Sequence, residues 1–208
     1  MDKIIWYNQM HCAAEDLAQV YLDIENSTIQ HLKDFHSNKT QFVLGSTNYG
    51  ASSLQVLPQV YASLTVQVSG GVGYYNWERI ELPSAYEYVI SDIPTDQGGG
   101  LNITRIDLLW IERLVEEAYP FAIDFIDANR NIYQQTKNTR YLDSYEIGLT
   151  QGVYNIGGGA KPSTPVGAVP LAYIHLRDAT NKIYAYDTGS LNEGFIEDCR
   201  QLVYANTI

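Results

Sequence analysis

The sequence predicts a mainly β protein with one N-terminal α-helix, an α+β chain containing two small antiparallel β-modules. Apolar residues recur every three or four positions across residues 13–37, which is the spacing of an amphipathic helix. They alternate with polar residues across 60–68, the period of a half-buried strand. Further along, two patterns rich in Tyr, Ile and Leu flank a loop rich in glycine and proline within residues 140–176, which predicts strand, loop, strand.

The N-terminal region, residues 1–45, is predicted to contain a short strand at residues 3–7 and then the helix. Glu15 and Asp16 lie in the first turn of that helix and Lys33 lies near its end, as the helix dipole favours. The apolar stripe has two possible partners: the sheet of its own domain, or copies of itself in a bundle around a symmetry axis. In the second case the oligomer interface contains Leu17, Val20, Tyr21, Ile24, Leu32 and Phe35.

The first β-module is expected at residues 46–96. Within it we predict a strand at 60–68, a glycine turn at 69–73, a hairpin partner at 75–80 and another strand at 86–90. Residues 91–100 contain Pro94 and three consecutive glycines, a composition typical of a linker. We therefore place the boundary between the modules in this stretch.

The second β-module is expected at residues 97–208. Strand patterns occupy 102–111, 121–126 and 132–136, with a turn at 127–131, and shorter strand patterns follow after residue 181. Residues 112–119 have helical composition, although they could also continue the preceding strand. The loop at residues 157–166 is expected to be exposed and to contact a neighbouring protein rather than its own core, because long irregular loops are usually functional or disordered. Its candidate partner-binding residues are Gly157, Gly158, Gly159, Pro162 and Pro165.

Composition narrows the possible functions. The net charge of −11 argues against binding of nucleic acid, and equally against an anionic membrane surface. The chain has 17 tyrosines and only 5 phenylalanines, and an excess of Tyr suits thin β-layers and subunit interfaces. No signal peptide and no apolar run of membrane-spanning length is evident, so we expect synthesis in the cytoplasm, with Cys12 and Cys199 as free thiols.

No pattern in the sequence predicts a catalytic centre, a cofactor or a metal. The four histidines have no ligand spacing, and neither a calcium-binding loop, a nucleophile elbow nor a phosphate-binding loop is present. Two charged pairs are separated by two positions, which places both members on one face of a strand. Each pair is either a surface ion pair of little energetic value or a clamp between strands or subunits. The pairs are Arg105 with Asp107, and Asp198 with Arg200.

Four parts of the chain, spread over nearly its whole length, together form a recognisable series of motifs. The first is Ile-Ile-Trp-Tyr-Asn-Gln at residues 4–9, followed by Ala-Glu-Asp-Leu at 14–17. The second is the strand at 62–68 with Ile-Glu-Leu-Pro at 80–83, and the third is Arg-Ile-Asp-Leu-Leu at 105–109. The fourth is Val-Pro-Leu-Ala-Tyr-Ile at 169–174 with Ile-Glu-Asp-Cys-Arg at 196–200. In their order and spacing, these four parts resemble the small baseplate and fibre-connector proteins of tailed bacteriophages.

This resemblance implies a non-enzymatic structural role in a virion tail, with the β-modules arranged about the axis of a homotrimer. The expected partners are other copies of the chain and other baseplate and tail-fibre proteins, and the chain would connect baseplate to fibres or receptor-binding proteins. Two alternatives stay open, namely a carbohydrate-degrading tail enzyme and a receptor- or glycan-binding module. Facing carboxylates about 5–10 Å apart in a cleft would favour the enzyme, and an exposed aromatic platform would favour the binding module.

Overall fold

The computed structural model describes most of the chain between residues 20 and 204. The described residues are 20–24, 26, 39–45, 50–91, 103–126, 130, 132–156, 158–177, 180–190 and 193–204. Residues 20–24 and 26 are helical and belong to the predicted helix. The strand predicted at 3–7, the linker at 92–100 and the residues Leu17, Leu32, Phe35 and Gly157 lie outside the described ranges.

The predicted fold class is confirmed at the level of composition, because the described residues are mainly β with one short helix. In this part of the chain thirteen strands are present. They are β1 Gln41–Leu44, β2 Val56–Pro58, β3 Thr65–Val68, β4 Gly71–Tyr75, β5 Glu78–Leu82, β6 Tyr86–Val89, β7 Ile103–Ile126, β8 Ile132–Thr150, β9 Asn155–Ile156, β10 Ala168–Arg177, β11 Lys182–Tyr184, β12 Glu193–Asp198 and β13 Leu202–Val203.

The strands form three sheets. One sheet has the order β13-β1-β4-β5, a second has the order β2-β3-β6, and the largest has the order β11-β12-β10-β7-β8 with β9 beside β7. Strand β13 pairs with β1 in parallel, so the last described strand lies beside the first. Pairing between such distant segments closes the chain onto itself.

The core extends under all three sheets, and a smaller buried cluster of Phe42, Val72 and Tyr74 is separate from it. The core contains side chains from both sides of the predicted module boundary, for example Val43, Leu82, Leu109, Leu171 and Ile196. The boundary between residues 96 and 97 therefore does not divide the core, although the linker itself lies outside the described residues. The physical reason is that each small sheet has too little apolar area to bury alone.

The hairpin predicted in the first module is wrong in its pairing. Residues 71–73 of the glycine turn predicted at 69–73 belong instead to strand β4, which pairs with β5 through a turn at Asn76 and Trp77. Both turn residues have positive φ, 47° and 74°, as a tight hairpin turn with right-handed strand twist requires. Meanwhile β3 pairs with β2 and β6, and Val60, predicted to be buried in a strand, is 94% exposed.

The helical alternative for residues 112–119 is also wrong, whereas the strand-loop-strand prediction is confirmed. Strand β7 continues without interruption from Ile103 to Ile126, and the loop does lie between β8 and β10. In β10 the register shifts between Pro170 and Ala172, where the proline cannot donate a ladder hydrogen bond. Cross-strand pairing with β8 overrides the helical composition of 112–119, since local propensity is a weak determinant beside a continuous ladder.

Strands β7 and β8 extend beyond the rest of the sheet. Strand β10 pairs with β7 only from Thr104 to Glu112, whereas β8 stays paired with β7 as far as Ile126 and Ile132. We call residues 113–126 of β7 and 132–145 of β8 the ribbon, and the remaining described strands the body. Fourteen residues of extended chain make the ribbon roughly 45 Å long.

Candidate functional site

The Arg105–Asp107 pair lies at the centre of the body. Both side chains are 0% exposed, and the guanidinium donates to Asp107 Oδ2 from Nε at 3.1 Å and from Nη2 at 2.8 Å. Arg105 also donates to the Tyr154 hydroxyl at 2.8 Å and to the Ser91 carbonyl at 2.6 Å, while Asp107 Oδ1 accepts the Gly152 amide at 2.9 Å. Through Arg105 and Asp107, strand β7 thus connects residues 152–154, where the loop begins, to Ser91 at the end of the first β-module.

Electrostatics explain why this network must be complete. Burial raises the pKa of Asp107, whereas the Gly152 amide and the Arg105 guanidinium act in the opposite direction. Buried charges are tolerated only when their hydrogen bonds are satisfied, so removing one member leaves an uncompensated charge in the core. Gly152 is required for the close approach, because a Cβ there would lie 2.0 Å from the Ile106 carbonyl oxygen.

The Asp198–Arg200 pair fastens the C-terminal strand to the first half of the chain. Arg200 is 2% exposed and donates from Nη2 to Asp198 Oδ2 at 2.7 Å, and from Nη1 to the carbonyls of Ala51 and Ser53. Burial alone would raise the pKa of Asp198, but hydrogen bonds from Arg200 lower it. Both sequence-predicted pairs therefore form within one segment and connect to distant segments through backbone and hydroxyl groups.

A second cluster of charges fastens the long loop to the sheet. His175 on β10 and Phe195 on β12 are register partners with stacked rings 4.1 Å apart, and His175 Nε2 lies 2.8 Å from Glu197 Oε2. Lys161 of the loop donates to the other oxygen of Glu197 at 2.5 Å. Hydrogen bonds from Lys161 and then His175 lower the pKa of Glu197.

Beside this cluster the loop covers a cavity of about 180 Å³. Gly159 lies close enough to the sheet that a Cβ would be 3.1 Å from the Ile106 amide nitrogen. On the opposite wall Arg177 donates to both carboxylate oxygens of Asp187, at 2.9 and 3.0 Å. The Gly189 amide and then Arg177 lower the pKa of Asp187.

Charges around this cavity are balanced. Of the charged side chains that line it, Arg105 is paired with Asp107 and Arg177 with Asp187, so the wall carries little net attraction for an anionic or cationic ligand. The arrangement holds the loop and the turn at 185–190 against the sheet, which is a structural task. Within the described ranges no group of three or more His, Cys, Asp and Glu side chains is placed to hold a metal ion.

The loop differs from its prediction in one respect. Residues 157–166 are predicted to be exposed and to contact a neighbouring protein rather than their own core, yet Lys161 bonds to Glu197 of the body, and Pro162 and Pro165 are half-buried. Contact with a neighbouring protein stays a prediction. The Tyr154 hydroxyl and the Lys161 ammonium, which come before and after Gly157 in the chain, complete the networks of Arg105 and Glu197. Gly158 is exposed, as are Val153 and Val166 at 77% and 91%, so one side of the loop stays accessible.

The described part of the helix lies at the surface of the single chain. Tyr21 is 68% exposed and Ile24 61%, whereas Val20 is half-buried. At Tyr21 and Ile24 the stripe therefore does not lie in a core of its own domain. The bundle interface stays a prediction, since three of its six residues lie outside the described ranges.

Sequence reasoning missed the partners that complete these networks. Tyr154, Gly152 and Ser91 bond to Arg105 or Asp107 from 14 to 49 positions away, and Lys161 reaches Glu197 across 36 positions. No local spacing can identify such partners, although the charged pair at 105 and 107 did indicate where in the sequence the buried network lies. Burial raises the pKa of Cys199 to about 12, which keeps its side chain in the thiol form at neutral pH.

In the described part of the chain no helix is long and apolar enough to cross a bilayer. No family model matches the chain, and it has no significant match among curated proteins or solved structures.

Proposed function

We propose that the protein is a non-catalytic structural component of a phage virion tail, made in the host cytoplasm, which connects the baseplate to tail fibres or receptor-binding proteins. The observation that carries the proposal is the ribbon, in which two strands stay paired with each other for roughly 45 Å past the last residue of β7 that pairs with β10. A long two-stranded element of this kind suits a protein that joins others. The tail assignment itself rests on the sequence resemblance.

The charged networks support a scaffold. Arg105, Asp107, Arg200 and Lys161 all connect segments of the chain to one another, and their hydrogen-bonding groups are directed at the protein itself. A connector transmits force between its partners, so its body must not open. Buried and multiply bonded charges fix strand register and so favour a single rigid arrangement.

We further propose that the protein is a homotrimer whose helices meet at the axis. The exposure of Tyr21 and Leu22, 68% and 48%, supports this placement, because large apolar side chains at the surface of a subunit often lie in an interface. Replacement of Ile24 by Asp would then bring three carboxylates together and should separate the subunits. An intact oligomer with only a lower melting temperature would contradict the axial bundle.

Deletion of the gene from the phage that encodes this chain tests the proposed function. We expect tails that carry a baseplate but lack fibres in electron micrographs, with adsorption to the host lost. Supplying the intact gene in trans should restore both. Fibre-bearing, infectious particles made without the protein would contradict the connector role, and loss of enzymatic degradation of host glycans as the only defect would favour the carbohydrate-degrading alternative.

A further inference from the structure

The cavity under the loop lies on one face of the largest sheet, and strand register decides which side chains surround it. Arg177 of β10 lies opposite Thr104 of β7. Two positions before it, His175 lies opposite Ile106 of β7 and Phe195 of β12. Register partners, and residues two apart on a strand, project on the same face of a sheet. These five residues therefore share one face, and all of them line the cavity.

The loop forms the opposite wall. Gly158 and Gly159 line the cavity, and a Cβ added at Gly158 would meet nothing within 4 Å. Lys161 fastens the loop beside the cavity, because its ammonium bonds to Glu197 and lies 4.7 Å from the centroid of the Tyr173 ring. The cavity thus lies between a regular sheet and a stretch of backbone without side chains, whose peptide groups face it directly.

The polar side chains on the walls retain hydrogen-bonding capacity. Arg177 donates through its two Nη atoms to Asp187 and to the Ser190 carbonyl, and in the described part of the chain its Nε–H takes no part in these bonds. Asp187 accepts two hydrogen bonds from Arg177 and one from a backbone amide, whereas a carboxylate has about four lone-pair sites. The Thr104 hydroxyl donates to the Asn155 carbonyl and keeps its own lone pairs. Donors and acceptors are therefore both available.

Charge and size restrict the ligand that this cavity can hold. Because the guanidinium groups on its walls are paired with carboxylates, a charged ligand would lose its hydration without gaining an unpaired opposite charge. The volume of about 180 Å³ corresponds to about six water molecules at roughly 30 Å³ each. Such a space suits one ring and is smaller than the pockets of drug-sized ligands. An uncharged molecule that uses donors and acceptors together is one that carries several hydroxyl groups.

We infer that this cavity is a binding site for a small neutral polyhydroxylated molecule, such as a single sugar ring, held between the loop and the sheet. The inference goes beyond the connector role, which assigns no ligand to the chain. Each hydroxyl group both donates and accepts, so one ring can bond to the Arg177 guanidinium, the Asp187 carboxylate and the loop backbone at once. Phe195 and Ile106 supply the apolar part of the wall for the C–H groups of the ring.

Neutral rings are the first test. We expect nuclear magnetic resonance titration of the isotope-labelled chain with glucose, galactose, mannose and myo-inositol to identify at least one that binds, with a dissociation constant on the order of 1 mM. Its addition should shift the amide signals of Gly158, Gly159, Arg177 and Asp187. No shift at these residues with any of the four at tens of millimolar would show that the cavity holds only water, and would overturn the inference.

Charged versions of the same ring test the chemical class. Glucose, glucosamine and glucuronate differ at neutral pH in carrying no charge, a positive charge and a negative charge. We expect the charged forms of whichever sugar binds to do so several-fold more weakly, since the walls offer no unpaired opposite charge. Tighter binding of the amino sugar or of the sugar acid would overturn the assignment to a neutral ligand.

Two threonine substitutions locate the binding. Thr104→Tyr places a ring at the wall of the cavity, and Thr136→Tyr makes the same change at an exposed position of the ribbon. We expect the first to raise the dissociation constant about tenfold or more by occupying the space of the ligand, and the second to leave it unchanged. Equal affinities of the two variants would overturn the site. If Thr104→Tyr does not fold, Thr104→Val replaces it, with a smaller loss expected from the missing hydroxyl.

Releasing the loop tests whether it belongs to the site. Lys161→Met removes the bond to Glu197, and Lys39→Met is the control at an exposed lysine outside the loop. We expect the first variant alone to bind the ring several-fold more weakly and to show faster hydrogen exchange at Gly158 and Gly159. Faster exchange with unchanged affinity would overturn the placement of the ligand between the loop and the sheet.

Discussion

The body and the ribbon are built from the same two strands, yet they are stabilised in different ways. In the body, β7 lies between β8 and β10 and carries Leu108, Leu109 and Ile111, each of which is 0% exposed. In the ribbon the same strand has one neighbour, and Val115 is 50% exposed. A strand thus depends on its neighbours as much as on its sequence. The body has a core shared by three sheets, whereas each described strand of the ribbon is paired only with the other.

The largest expected effect on stability comes from Asp107→Asn, which removes the negative charge from the buried ion pair of the body. The substitution leaves Arg105 charged and uncompensated in the core, which typically costs about 3–5 kcal/mol of unfolding free energy. Urea titration followed by circular dichroism measures it. Asp187→Asn, at a carboxylate that is 47% exposed, is the matched control and should cost much less. Similar losses for the two variants would contradict the central role of the buried pair.

Replacing one buried and one exposed isoleucine by alanine tests the difference between body and ribbon directly. Ile174 in β10 is 0% exposed and Ile132 in the ribbon is 70% exposed. Ile174→Ala should destabilise the monomer by about 2–5 kcal/mol through lost burial and the cavity left behind. For Ile132→Ala the change should be within about 0.5 kcal/mol. Thermal unfolding of both variants measures the difference, and an equal loss at Ile132 would mean that the body already buries the ribbon.

Arg200→Ala should have an intermediate effect, because it releases the C-terminal strand from the first half of the chain. The guanidinium bonds to Asp198 and to the carbonyls of Ala51 and Ser53 would be lost, at about 2 kcal/mol for a charge-assisted site. Hydrogen exchange should increase at β13 and at residues 50–53, with the ribbon unaffected. Increased exchange confined to the ribbon would contradict this assignment.

The smallest effect concerns the loop and depends on pH. The folded state lowers the pKa of Glu197 from its ordinary value of 4.5, so its contribution to stability is full above that value and is lost as pH falls through the folded pKa. Lys161→Met should therefore lower the melting temperature slightly at neutral pH, and wild type and variant should converge in acid. A difference that stays constant from pH 7 to pH 3 would show that the salt bridge does not hold the loop.

Local residue patterns determined the mainly β class, the strand-loop-strand order and the charged pairs at 105 and 107 and at 198 and 200. Those features depend on spacing of two along a strand and on glycine and proline in loops, which are local properties. Tyr154 and Gly152 as partners of the buried pair, and Lys161 as the partner of Glu197, could not be identified in this way. Their contacts join segments far apart in the chain.

Only the tertiary structure decided that β3 pairs with β2 and β6, that both halves share one core, and that residues 112–119 continue as strand. Strand pairing depends on which apolar faces meet, and several pairings satisfy the same alternation of residues. The ribbon is the clearest case. Its sequence has mixed helix and strand propensity, and its conformation is set by the partner strand, because each cross-strand pair adds to a ladder that propensity alone does not outweigh.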